Sequence, residues 1–169
     1  EQSPKTPELI LQLSGLLRYM LYECREDEVT LEKEVDHLQS FVRLNELQIE
    51  ERGSVELQVK GGFRNWRIAP LILVVFIENA FKHSGASKTE GINIDIELLV
   101  SPQGRLHFRC TNNFEPDSNT DNLDHGIGLA NVQKRLALIY PEAHQLSINQ
   151  EADIFEVRLI IDLLKPIQS

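Results

Sequence analysis

The sequence predicts a two-layer α/β sandwich, one mixed sheet with helices packed on one face, preceded by two helices. Three observations predict it. Beyond residue 53, several short stretches alternate apolar and polar residues, the period of a strand with one buried face. Two helix-length stretches interrupt those strands, and a sheet with one apolar face needs such helices to cover it. The first fifty or so residues carry apolar side chains at spacings of three and four, the mark of amphipathic helices.

The first helix starts at Thr6, which can cap it, with Pro7 and Glu8 in the first turn. Leu9, Leu13, Leu16 and Met20 form its apolar line, widened by Ile10, Leu17 and Leu21. Glu26-Asp27-Glu28 breaks the pattern and Thr30 restarts a helix, with Glu32 and Glu34 in its first turn. Its seam runs Leu31, Val35, Leu38, Val42, Asn45 and Ile49. Such a pair of helices fits either a bundle or dimer interface, with Asn45 fixing register, or amphipathic helices packed on their own domain. Val55, Leu57 and Val59 alternate with polar residues up to Gly61-Gly62 and predict a strand. Residues 70–83 predict an apolar helix beginning at Pro70 and stopped by Ser84-Gly85. Ile92 to Leu98 and Leu106 to Cys110 predict a hairpin turned by Pro102-Gln103-Gly104. Residues 112–125 are nearly devoid of apolar side chains and predict a long loop, a length usually reserved for functional lids or disorder. A helix from about Ile127 to Tyr140 and two strands, Leu146 to Asn149 and Phe155 to Ile161, complete the chain.

Composition narrows the function. The chain has 169 residues, 41% apolar and 25% charged, the balance of a soluble globular domain with a small appendage. A net charge of −9 argues against a nucleic-acid partner, which would need clustered Lys and Arg. Cys24 and Cys110 stand far apart, so no metal site or disulfide framework is expected, and a reducing cytoplasmic setting fits. The opening Glu1-Gln2-Ser3-Pro4 has no signal-peptide character, and no apolar run approaches the ~20 residues of a membrane helix. Direct membrane contact is therefore not expected.

Two segments carry candidate chemistry. The apolar helix ends in Glu78-Asn79-Ala80-Phe81-Lys82-His83, where Asn79, Lys82 and His83 share one face at i, i+3 and i+4. A carboxamide beside a cation suits magnesium and phosphate oxygens. Lys82 and His83 also suit an ordinary helix C-terminus, but that does not account for Glu78-Asn79. The second segment is His125-Gly126-Ile127-Gly128-Leu129-Ala130-Asn131-Val132, at the junction of the polar loop and a helix. Its glycines allow close backbone approach, and the helix start offers free N–H groups to a phosphate. Arg135 and His37 both read as solvated surface residues.

Together these segments resemble the catalytic domain of sensor histidine kinases, within the GHKL family of ATP-binding proteins. Glu78-Asn79-Ala80-Phe81-Lys82-His83 looks like the family's N box, and Gly126-Ile127-Gly128-Leu129 with Asn131-Val132-Gln133-Lys134-Arg135-Leu136 like its G2 box. Leu16-Leu17-Arg18-Tyr19-Met20-Leu21 and Leu31-Glu32-Lys33-Glu34 are similar to kinases that partner LytTR-type response regulators.

The resemblance implies the Bergerat (GHKL ATPase) fold. Residues 1–52 would be the end of a helical dimerisation region with its linker helix, and 53–169 an ATP-binding domain with a lid at about 113–125. It implies Glu78, Asn79, Lys82 and His83 as the catalytic group, with Asn79 on the magnesium ion. Nucleotide would be bound by Asn79, Lys82, His83, Asn112, Gly126, Ile127, Gly128, Leu129, Asn131 and Arg135. It further implies a response-regulator partner, a homodimeric parent protein anchored in the inner membrane, and an acceptor histidine upstream of Glu1. This chain would then bind nucleotide without phosphorylating itself.

Two positions depart from the pattern. Relatives that hydrolyse ATP carry a glutamate about one turn before the N-box asparagine, where this chain has Val75. The usual G1-box aspartate that recognises adenine is replaced by Asn112, in Thr111-Asn112-Asn113-Phe114, which accepts a hydrogen bond but carries no charge. Two functions stay open, a kinase module and a GHKL binding module that signals by docking without phosphoryl transfer. An anti-sigma-type serine kinase is disfavoured by the long N-terminal helices.

Overall fold

The computed structural model describes residues 6–22, 25–87, 91–114 and 125–163. Helix α1 spans Thr6–Tyr22 and α2 spans Leu31–Ile49, with a two-residue strand β1, Val29–Thr30, just before α2. Strand β2 (Gly53–Gly61), the short β3 (Arg67–Ile68) and helix α3 (Ile72–Ser87) follow. Then come β4 (Ile92–Val100), β5 (Arg105–Asn113), α4 (His125–Ile139), β6 (His144–Glu151) and β7 (Ile154–Asp162).

The alternating stretches form one five-stranded sheet in the order β2-β4-β5-β7-β6. Only β2 and β4 run parallel, which makes the sheet mixed. Period-two alternation puts Ile92, Ile94, Ile96, Leu98 and Val100 of β4 on one face. Cross-strand register extends that face: Leu98 opposes Phe108, which opposes Leu159, and Ile96 opposes Cys110, which opposes Val157. Helices α2, α3 and α4 pack as a single layer against it. The other face is polar. There Arg109 donates to Glu156 at 2.7 Å and Arg158 adds a 2.9 Å ion pair to the same carboxylate. Partial burial works to raise the Glu156 carboxyl, but the hydrogen bonds from Arg109 and Arg158 outweigh it and hold it below the usual range.

The α2 seam takes the second of its two readings. Leu31, Val35, Leu38, Val42 and Ile49 are buried in the same core as the sheet, so the core runs unbroken across residue 53. Asn45 satisfies itself locally by donating to the Phe41 carbonyl at 2.8 Å. Helix α1 differs: among its described side chains only Leu16 and Tyr19 are buried, while Ile10, Leu13, Leu17, Met20 and Leu21 are exposed.

Several boundaries move. Helix α3 starts at Ile72 and continues through Ser84-Gly85 to Ser87, because an isolated glycine weakens a helix without ending it. Strand β5 runs on to Asn113, so Asn112 stands in the sheet, and α4 begins at His125. Gly126 and Gly128 thus lie within the first turn of a helix instead of in the turn before it. Residues 115–124, most of the expected lid, and Cys24 lie outside the described residues. Cys110 is a free, buried thiol, pushed up to about 12 by burial, which suits a packing role. Among the described residues no helix is long and apolar enough to cross a membrane.

Candidate functional site

Helix α3 explains its own mixed composition. Ile72, Leu73, Phe76, Ile77, Ala80 and Ser84 follow the three-four spacing and face the core. Val75, Asn79 and His83, one turn apart, form the adjoining stripe and are half-buried. Glu78 and Lys82 are exposed. His83 Nε2 lies 3.0 Å from Asn79 Oδ1, the i, i+4 contact expected of one helix face. Asn79 Nδ2 is buried and has no hydrogen-bond partner among the described residues. A buried donor left unpaired costs about 1–3 kcal/mol. Such groups are uncommon in cores, and a bound ion, water or ligand is one way the missing acceptor is supplied.

The second segment meets this stripe directly. A Cβ on Gly128 would lie 3.9 Å from Val75 Cγ1, so the first turn of α4 borders the stripe that carries Asn79 and His83. The opening N–H groups of α4, at His125 to Gly128, have no partner within the helix. Gly128 and Asn131 are exposed and Leu129 is half-buried.

The third piece is the end of β5. Asn112 is 2% exposed and points with Leu106, Phe108 and Cys110 to the helical side of the sheet. Its amide donates to the Asn113 carbonyl at 3.2 Å, and Ser84 of α3 donates to the same carbonyl at 2.7 Å. Asn113 in turn bridges to β4, accepting from Asn93 N–H at 2.9 Å and donating to the Gly91 carbonyl at 2.7 Å. The ends of α3 and β5 are therefore locked together beside Asn112.

Neither Arg135 nor His37 is a solvated surface residue. Arg135 is half-buried and acts electrostatically on Glu34 and Tyr140. His37 is 5% exposed and stacks on Tyr19, ring centroids 4.3 Å apart; burial pushes it below the usual histidine range. Glu34 is a group that sequence reasoning missed. It is fully buried, accepts a hydrogen bond from the Tyr19 hydroxyl, and accepts the Leu71 N–H at 2.7 Å. Desolvation raises its carboxyl above the usual range, against the lowering effect of Tyr19, Leu71 and Arg135. Leu71 has φ +60, a left-handed conformation that costs a non-glycine residue about 1–2 kcal/mol.

The donor set fits magnesium with nucleotide phosphate better than a dedicated metal cage. Among the described residues no cluster of three or more His, Cys, Asp or Glu is placed to hold a metal. Magnesium commonly takes one or two protein oxygens and completes its shell with phosphates and water. Asn79 Oδ1 has a second lone pair besides the one facing His83, and the orphaned Nδ2 is a donor suited to a phosphate oxygen.

Comparison with known proteins agrees with the fold. The family profile described as Histidine kinase matches residues 1–53. The sensor histidine kinase/phosphatase LytS of Staphylococcus aureus (strain MRSA252) is 28% identical over 160 residues, covering 85% of this chain and 26% of its own length. These matches make the chain similar to bacterial sensor histidine kinases, in its first 53 residues by family profile and over most of its length by relative. Among solved structures, the Acinetobacter baumannii histidine kinase AdeS is similar with a TM-score of 0.56 at 14% identity, covering 93% of this chain and 78% of that one. The histidine kinase domain of the Erythrobacter litoralis EL346 blue-light activated histidine kinase gives 0.57 at 12% identity, covering 96% of this chain and 76% of that one. At such identities these likenesses establish the fold, the mixed-sheet α/β sandwich of histidine kinase domains. The chain spans about a quarter of the length of the curated relatives it matches.

Proposed function

We propose that this region of the kinase binds Mg-ATP and transfers its γ-phosphoryl group to a histidine outside the chain, for relay to a response regulator of the LytTR type. Residues 1–52 serve as the end of a dimerisation region and linker, and 53–169 as the nucleotide-binding part, within a homodimeric membrane sensor. The observation that carries the reading is that the α3 stripe holding the Asn79–His83 pair borders the first turn of α4, through Val75 beside Gly128.

In this reading His83 fixes the Asn79 carboxamide, whose oxygen holds magnesium while Nδ2 donates to a phosphate oxygen. When bound, magnesium supplies neutralisation of charge on the transferring phosphoryl group. Lys82 and Glu78, at the exposed edge of α3, act on the outer side of the phosphates. The N–H groups of Gly126, Ile127 and Gly128 bind them at the positive end of α4, with Leu129 and Asn131 lining the same turn. Asn112 accepts from the adenine amino group. Val75 offers no base to activate water, so the chemistry is left to a nucleophile positioned by the partner segment.

A second reading, a docking module without phosphoryl transfer, draws on Asn112. Its amide nitrogen is already committed to the Asn113 carbonyl, and its remaining oxygen is neutral, a weaker anchor for adenine than an ionised carboxylate. Incubation with γ-labelled Mg-ATP separates the readings. Acid-labile label is expected on a longer protein that includes the preceding segment, and none on residues 1–169 alone. Label on the short chain would place the acceptor inside it, and no label on either would favour the docking module.

A further inference from the structure

The chain entering α3 is held from two sides by groups distant in sequence. Ala69 N–H donates to the Tyr140 hydroxyl at 2.8 Å, Pro70 has no N–H, and Leu71 N–H donates to Glu34 at 2.7 Å. Leu71 is left-handed, and α3 begins at the next residue. A helix start normally takes its cap from a nearby Ser, Thr, Asp or Asn, and Ala69-Pro70-Leu71 has none. Glu34 supplies one from α2. A carboxylate there also suits the positive end of the helix.

The same carboxylate reaches two further helices. Its other oxygen is held by the Tyr19 hydroxyl of α1, on whose ring His37 stacks, and Arg135 of α4 acts on it electrostatically. Among the described side chains of α1, Tyr19 and Leu16 are buried, while Ile10, Leu13, Leu17, Met20 and Leu21 are exposed. The hydroxyl of Tyr19 is thus a specific tie between α1 and the start of α3. Asn79 lies eight residues beyond Leu71 on that helix, about 12 Å along a rigid rod, so the seat of Leu71 sets where Asn79 stands.

We propose that Glu34 is a positioning residue for the α3 site, capping the helix that carries Asn79 and His83 in an orientation that Tyr19 of α1 sets. The inference rests on reading α3 as the nucleotide-binding helix, but its first test needs no nucleotide. Amide hydrogen exchange on residues 1–169 should show the first turn of α3 opening about tenfold faster in Glu34→Ala, with the amides of β4 and β5 unchanged. Glu34→Gln keeps an oxygen acceptor and should restore protection. Tyr19→Phe leaves the cap in place and should loosen the same turn by a smaller factor, about threefold. Should Glu34→Ala fail to fold, the Gln and Phe variants carry the test.

Unchanged exchange at α3 in Glu34→Ala, or an even rise over every helix and strand, would overturn the proposal, since the second is plain loss of stability. An unaffected α3 in Tyr19→Phe would overturn the part assigned to α1. Titration with an ATP analogue then separates the two levels. Weaker binding in Glu34→Ala with recovery in Glu34→Gln supports positioning of the site. No binding by the unaltered chain defeats the nucleotide reading and leaves the exchange result to stand by itself.

Discussion

Asn79→Ala is expected to abolish magnesium-dependent nucleotide binding, weakening it by at least about 100-fold, or about 2.7 kcal/mol. The substitution removes the oxygen proposed for magnesium and the Nδ2 proposed for a phosphate oxygen, and it leaves His83 without its 3.0 Å partner. Stability should respond differently. The unaltered side chain buries a donor with no partner among the described residues, so its removal should leave the melting temperature unchanged or slightly raised. That opposition is the usual sign of a residue retained for function at some cost to the fold. Titration of both proteins with an ATP analogue, with and without magnesium, checks the first half and thermal melting the second. Equal affinity in the presence of magnesium would remove Asn79 from the site.

Phe76→Ala should have the largest effect on stability. Phe76 is 1% exposed on the core face of α3, and its ring centroid lies 5.9 Å from that of Phe108 on β5. Truncation leaves a cavity where the helical layer meets the central strand, at a cost of about 3–5 kcal/mol. For a chain of this size that lowers the melting temperature by about 6–20 °C. A urea titration should show the midpoint falling with little change in slope. Leu99→Ala provides the contrast, because Leu99 is 41% exposed on the polar side of the same sheet and should change little. A loss at Phe76 below about 1 kcal/mol would contradict the packing described.

The fold was legible where the pattern was periodic. Alternation in residues 92–98 and 106–110 marked the hairpin, and cross-strand register then fixed which residues share the buried face. The ribbon of β1 with β3 was not legible, because two residues are too few to carry a period. The pairing of Asn79 with His83 followed from helical spacing. The burial of Glu34 and His37 did not, although a signal existed. Glu34 stands three residues after Leu31 and four before Leu38, inside the apolar stripe, but an acid in a first turn is explained just as well by the helix dipole. Its partners, Tyr19 and Leu71, are 15 and 37 residues away, and nothing in one sequence joins them. Arg135 was misread for the same reason, since its environment is made by another helix.

The meeting of α3 and α4 is proposed to form a magnesium-dependent nucleotide site. Calorimetric titration of residues 1–169 with a non-hydrolysable ATP analogue, with and without magnesium, tests it most directly. Binding that requires magnesium is expected, in the micromolar to low-millimolar range, about −8 to −4 kcal/mol. No detectable heat at millimolar nucleotide, from protein shown by circular dichroism to be folded, would contradict it.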